Sequence, residues 1–175
     1  STQHIINIRS LYNINSKYSD YAPAIMEEQL IFSSTRPEKS KRLNKRTAQG
    51  YSNLYKAVFD PNKDTWTDAM LLSEELNSRK PEGVFTYSPV TREAFFMKCS
   101  ENNQDCRILA TKYQNGSWQA TQKVTFNVDG SAGHPSVSQD GQTLFFVSDM
   151  PGGYGGKDIW KVERVDDYMW GLPAN

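Results

Sequence analysis

Histidine is nearly missing from this chain, with two in 175 residues, and cysteine is equally scarce. The two cysteines, Cys99 and Cys106, stand too far apart for a zinc knuckle or a thioredoxin-type motif. No second pair completes a metal site, and no HExxH is present. A surplus of charge is missing too. Twenty Lys and Arg balance 20 Asp and Glu, which argues against a dedicated nucleic-acid binder. Mean hydropathy is −0.68, and no apolar run approaches the ~18 residues that a membrane span needs. Residues 1–10 have no long apolar core and no small-residue cleavage site. Any export signal is therefore expected to have been removed or to lie outside this sequence. There is no G-x-S-x-G nucleophile elbow. The expectation is a non-enzymatic chain with no cofactor, no metal and no nucleic-acid partner.

What is present is tryptophan at even intervals. Trp66, Trp118 and Trp170 stand 52 apart, Phe95-Phe96 precede Phe145-Phe146 by 50, and Asn77 precedes Asn127 by 50. A period near fifty fits a four-stranded propeller blade and neither a helical nor a leucine-rich repeat. The last period is the clearest. Residues 134–138 and 143–148 form two strand signals joined by Asp140-Gly141, a hairpin turn in which Gly accepts positive φ. A Gly-rich loop, 151–156, leads to a third strand at 158–163, and Trp170 opens a fourth.

The same pattern, moved back along the chain, gives all-β architecture with about three blades, expected to be part of a six-bladed ring. Residues 1–14 would hold the outer strand of a preceding blade, at 5–12. Blade one (15–76) has strands at 21–25, 29–33, 53–58 and 66–72, with a long insertion at 34–52. Blade two (77–127) has strands at 83–87, 94–98, 107–112 and 118–124. Asn115-Gly116 is its last turn, read as a turn rather than as a glycosylation sequon. Blade three (128–175) is incomplete. Residues 70–76 could also form one helical turn. Three blades do not close a ring. The remaining blades are expected from the same polypeptide or from a second copy, with proteolysis a further route to such a piece.

The run HPS-x-S-x-DG, then Leu144-Phe145-Phe146, Ser148-Asp149 and Asp158-Ile159-Trp160 after the Gly-rich loop, resembles the WD40-like PD40 repeat of TolB-type β-propellers. With Trp170, Pro173 and Asn175, blade three is most similar to propellers of Bacteroidetes OmpA-family envelope proteins. The resemblance is moderate in blade one and weak in blade two, where residues 90–93 replace the Asp-Gly turn. It implies a scaffold in the periplasm, associated with the outer membrane, whose partners are envelope proteins of a type IX secretion or gliding apparatus. Peptidoglycan would be reached only through a domain not in this chain. Similar blades also gate prolyl-oligopeptidase-type peptidases, and others act on carbohydrate. A glycosidase would need two carboxylates at defined separation, for which Glu82 and Asp129 are the hints.

Candidate site residues follow from loops on a rigid scaffold. The insertion carries Arg36, Lys39, Lys41, Arg42, Lys45 and Arg46 against one acid, Glu38. It is either a solvated loop or a docking surface for an acidic partner, an anionic lipid or a cell-wall polymer. In a propeller it shares a face with the loop of Tyr154 and Lys157 and with the 99–106 hairpin. Cys99 and Cys106 flank that hairpin and can face each other, as a disulfide in an oxidising compartment or as free thiols. Gly155-Gly156-Lys157 resembles the end of a P-loop, but Pro151 and Asp158 occupy two required places. Asp140, Asp149 and Asp158 lack EF-hand spacing; Asp140 reads as setting the turn and Asp158 as accepting backbone or hydroxyl hydrogen bonds at the strand start. His134, Trp66, Trp118, Trp160 and Trp170 read as packing residues, with sugar stacking an alternative for one tryptophan.

Overall fold

The computed structural model describes residues 8–37, 50–102, 104–124, 126, 129–167 and 169–175, and among them every regular element is a β-strand. The strands fall into three antiparallel sheets in which the first three long strands follow chain order and the short outer strands pair with the third. The first holds β1 (Asp20–Met26), β2 (Gln29–Ser34), β3 (Asn53–Asp60), β4 (Thr65–Trp66) and β5 (Met70–Leu71). The second holds β6 (Glu82–Ser88), β7 (Glu93–Cys99), β8 (Cys106–Gln114), β9 (Ser117–Trp118) and β10 (Gln122–Lys123). The third holds β11 (Ala132–Val137), β12 (Thr143–Ser148), β13 (Asp158–Asp166) and β14 (Met169–Trp170).

Turn chemistry sets the hairpins. Gly141, at φ 73, donates its N–H to Ser138 O, while Asp140 accepts from Ser138 Oγ and Gln142 N. Those two hydrogen bonds hold the exposed Asp140 carboxyl below its ordinary range. Asn115 and Gly116, at φ 52 and 77, make the tight turn between β8 and β9. In blade two the turn is Pro89–Arg92, with Arg92 at φ 57, and pairing resumes at Ser88↔Glu93. An aromatic residue of each second strand faces a large apolar one on the third: Phe32↔Tyr55, Phe96↔Leu109 and Phe146↔Trp160.

The outer strand differs from the expectation of one continuous run. It is broken after each tryptophan. Trp66 pairs with Phe59, but Met70 and Leu71 return to Lys56 and Tyr55. Trp118 pairs with Tyr113, whereas Gln122 and Lys123 pair with Ala110 and Leu109. Trp170 pairs with Arg164, and Ala174 bridges back to Lys161. A backbone bond spans each break: Thr67, Gln119 and Gly171 donate to the carbonyls of Val58, Lys112 and Glu163. The buried Asn77 adds a rung beyond β5. Its amide accepts from Leu54 N at 2.7 Å and donates to Leu54 O at 3.0 Å. That bond pair gives the repeated asparagine a physical reason, although Asn127 lies outside the described residues. The expected strand at 5–12 is also not found, since the described part, 8–12, carries no strand. Residues 73–77 make a single turn, closed by Asn77 N–H to Ser73 O.

Packing between sheets forms the core. Met26, Ile31 and Leu54 of the first sheet meet Phe85, Ala94 and Phe96 of the second. Phe95 and Ile108 on the other face of the second meet Leu144, Phe146, Trp160 and Trp170 of the third. Leu11 and Ile14 lie on Phe32, Tyr55 and Ala57. Both faces of the middle sheet are thus covered, which is why its strands read apolar at consecutive positions. Tryptophans pack as expected: Trp118 against Phe85 and Tyr113, Trp170 against Phe95, Trp66 against Phe59. Trp160 is buried and donates its indole N–H to Ser148 O.

Candidate functional site

Each first strand carries the same irregularity. Pairing slips between Tyr21 and Ala24, between Gly83 and Thr86, and between Gly133 and Ser136. The bulged residues are Ala22, Val84 and His134, at φ 51, 49 and 50. A bulge adds one residue and sharpens the local twist. At the third position it turns the imidazole outward. His134 is exposed, and among the described residues it makes no hydrogen bond, contrary to the packed, bonded role expected of it.

Val84 and His134 line a cavity of about 270 Å³ built by all three sheets. Tyr21 comes from the first, Met97 and the two cysteines from the second, Val147 from the third, and Lys157 from the loop that leads into β13. Cys99 and Cys106 sit opposite each other at the neck of the β7–β8 hairpin and are joined, Sγ–Sγ 2.00 Å. Gly133 lets the Met97 thioether lie against β11, because a Cβ there would stand 2.5 Å from Met97 Sδ.

The loops after β2, β7 and β12 have braced roots. Arg36 is drawn inward: its guanidinium binds Ser34 Oγ at 2.9 Å, Ile14 O at 2.6 Å and Asp20 Oδ1 at 2.9 Å. It also stacks over Tyr55 at 4.8 Å, leaving a side chain only 19% exposed. As a partner-binding residue it is therefore replaced by a clamp at the loop root. Asp149 accepts from Ser131 N, 18 residues away, and Asp158 accepts from Gly155 N, the acceptor role at the strand start expected of it. Tyr154 is 97% exposed at the tip of its loop, and Lys157 is exposed at its base. Lys39, Lys41, Arg42, Lys45 and Arg46 lie outside the described residues.

Two repeat-equivalent carboxylates brace the entries to the first strands. Asp20 pairs across to Ser34, and Glu82 to Lys98. Each accepts the N–H and hydroxyl of the serine four residues before it, Ser16 or Ser78. Burial alone would raise Asp20, but hydrogen bonds from Ser34, Arg36 and Ser16 outweigh it and hold the carboxyl below its ordinary range. Glu82 is more deeply buried, and burial pushes it up despite Ser78 and Lys98 Nζ at 3.2 Å. Glu82 thus serves the fold, while Asp129 is exposed. Among the described residues, no three His, Cys, Asp or Glu side chains gather where they could hold a metal ion. Among the described residues, no helix is long and apolar enough to cross a membrane.

No family model matches the chain, and no curated protein matches it. Solved structures do. TolB from Acinetobacter baumannii is 13% identical over 85% of this chain and 31% of its own, with a TM-score of 0.52. The chain has a TolB-like propeller fold. A hypothetical selenium-binding protein from Sulfolobus tokodaii is 16% identical over 82% of this chain and 34% of its own, at a TM-score of 0.43. At such identities TolB shares the fold alone, and this chain spans about a third of the length of either structure.

Proposed function

We propose that the chain is a non-catalytic protein-interaction scaffold of the bacterial cell envelope. It works through the face on which the loops after β2, β7 and β12 emerge. The observation that carries this reading is the bracing of all three loop roots: the Arg36 clamp, the Cys99–Cys106 disulfide, and the Asp149 and Asp158 caps. Braced roots reduce the entropy lost when loop tips dock on a partner. The disulfide also suits an oxidising compartment such as the periplasm. The likeness of blade three to OmpA-family propellers supports the finer reading, an outer-membrane-associated component of a type IX secretion or gliding apparatus. Its partners would then be the other envelope proteins of that apparatus.

The test is charge reversal on the insertion. Lys41, Arg42, Lys45 and Arg46, all changed to Glu, should remove the proteins retained from an envelope extract by the immobilised chain. Tm should not move, because the clamp at Arg36 is left in place. Retention of the same proteins at wild-type levels would overturn the proposal.

A further inference from the structure

The inner-strand cavity has the composition of a binding site rather than of a packing defect. Three polar groups converge on it without a partner among the described residues: the Tyr21 hydroxyl, the His134 imidazole and the Lys157 ammonium. Unpaired polar groups at a concave surface are groups available to a ligand. Val84, Met97, Val147, Pro81 and the disulfide give it apolar walls, and Ser52 and Ser131 add two hydroxyl groups, of which Ser131 Oγ already accepts from Cys106 N. No Asp or Glu lines it among the described residues. The nearest buried carboxylate, Glu82, is already held by Ser78 and Lys98. An acid-free rim with one fixed cation, Lys157, and two groups able to donate, Tyr21 and His134, beside apolar walls fits an anion carried on an apolar group.

Size narrows the choice. About 270 Å³ lies just below the range of pockets that take drug-sized molecules, so the occupant is residue-sized. Met97 can adapt its unbranched thioether to the shape of that occupant. We infer that this cavity seats the carboxylate end of a partner polypeptide, with an apolar last residue on Val84, Met97 and Val147. Lys157 and His134 hold the carboxylate, and Tyr21 donates to it. The inference rests on the interaction reading above and names the part of the partner that is held.

The experiment uses the full chain with three probes: acetyl-Gly-Gly-Leu with a free carboxylate, its C-terminal amide, and 4-methylpentanoate. Binding is read by NMR from the Met97 methyl and the His134 ring protons. The free-acid peptide is expected to shift both, and to bind at least tenfold more tightly than the amide. One charge-assisted hydrogen bond accounts for a factor of that size. Lys157→Ala should lose at least tenfold in affinity, and the exposed position keeps the fold unaffected. His134→Asn should weaken binding too, since Asn tolerates the left-handed backbone found there. Equal binding of acid and amide, or no shift at Met97 and His134, would overturn the inference. If 4-methylpentanoate binds as tightly as the peptide, assignment to a chain end is overturned in favour of a free organic acid. If Lys157→Ala retains envelope proteins while the four-residue charge reversal does not, the cavity fails and the interaction face stands.

Discussion

Arg164 joins the third sheet to the second, and its removal should be among the more damaging single changes. Its side chain is 7% exposed, and its guanidinium meets the Glu93 carboxylate, itself 11% exposed. It also donates to Gly141 O at 2.9 Å and Asp167 O at 3.1 Å, and lies 4.5 Å over the Trp170 ring. Arg164→Met would keep much of the stem but leave Glu93 facing Lys112 at 3.6 Å, a lysine 39% exposed and therefore screened. Breaking a buried pair at one end costs about 3–5 kcal/mol. Lys112 offsets part of that, so about 3 kcal/mol is expected. With an m-value of about 2 kcal/mol/M in urea, the midpoint should fall by about 1.5 M. Tryptophan fluorescence gives the readout, since Trp170 sits at the altered site. Adding Glu93→Gln should restore at least about 1 kcal/mol, because no buried charge is then left alone. A midpoint shift under about 0.5 M, or a double variant as unstable as the sum of the singles, would refute the reasoning.

The two strand-entry carboxylates should respond to pH in opposite senses. Asp20, held low, contributes stability above its unfolded pKa that is lost as pH falls through the lower folded value. The advantage of wild type over Asp20→Asn should therefore shrink on acidification below about pH 4. Glu82, held high, is protonated more readily in the folded chain, so stability falls as pH rises from its unfolded to its folded pKa. Glu82→Gln should gain on wild type as pH rises above about 4, the ordinary glutamate value, and parallel stability curves for these variants and wild type would contradict both assignments. The disulfide closes a short loop, with a sequence separation of 7, for which chain entropy predicts about 2.4 kcal/mol. Replacing both cysteines by serine should lower stability by that amount, and thiol titration of the unreduced, unfolded chain should find none free.

Local signals carried much of the fold. Strand signals such as 143–148, with Asp140-Gly141 and Asn115-Gly116, act over a few residues, so the strands and turns they mark stand where the sequence places them. The cysteine hairpin was legible for the same reason, because two positions on adjacent strands face each other whenever the register holds. The broken outer strands were not legible. Leaving the ladder after Trp66, Trp118 and Trp170 depends on what the neighbouring sheet offers, and residue type alone does not report that. Of the three bulges, two carry a sequence mark, since Pro23 and Pro135 follow Ala22 and His134 directly, whereas Val84 precedes Phe85 and has none.

The basic insertion shows the same limit at the site. By sequence Arg36 belongs with Lys39 and Lys41, whereas in the fold its charge is used on Asp20 and on the Ile14 carbonyl. The twin phenylalanines show where the division falls. Sequence by itself determined that Phe95-Phe96 and Phe145-Phe146 are equivalent strand positions, because strand geometry sends neighbours to opposite faces. Only the tertiary structure decided their environments. Phe95 is 1% exposed between two sheets, while Phe145 is 43% exposed on the outer face of the third. Burial belongs to the neighbour that covers a face, and so does the cavity, since no single blade contains it.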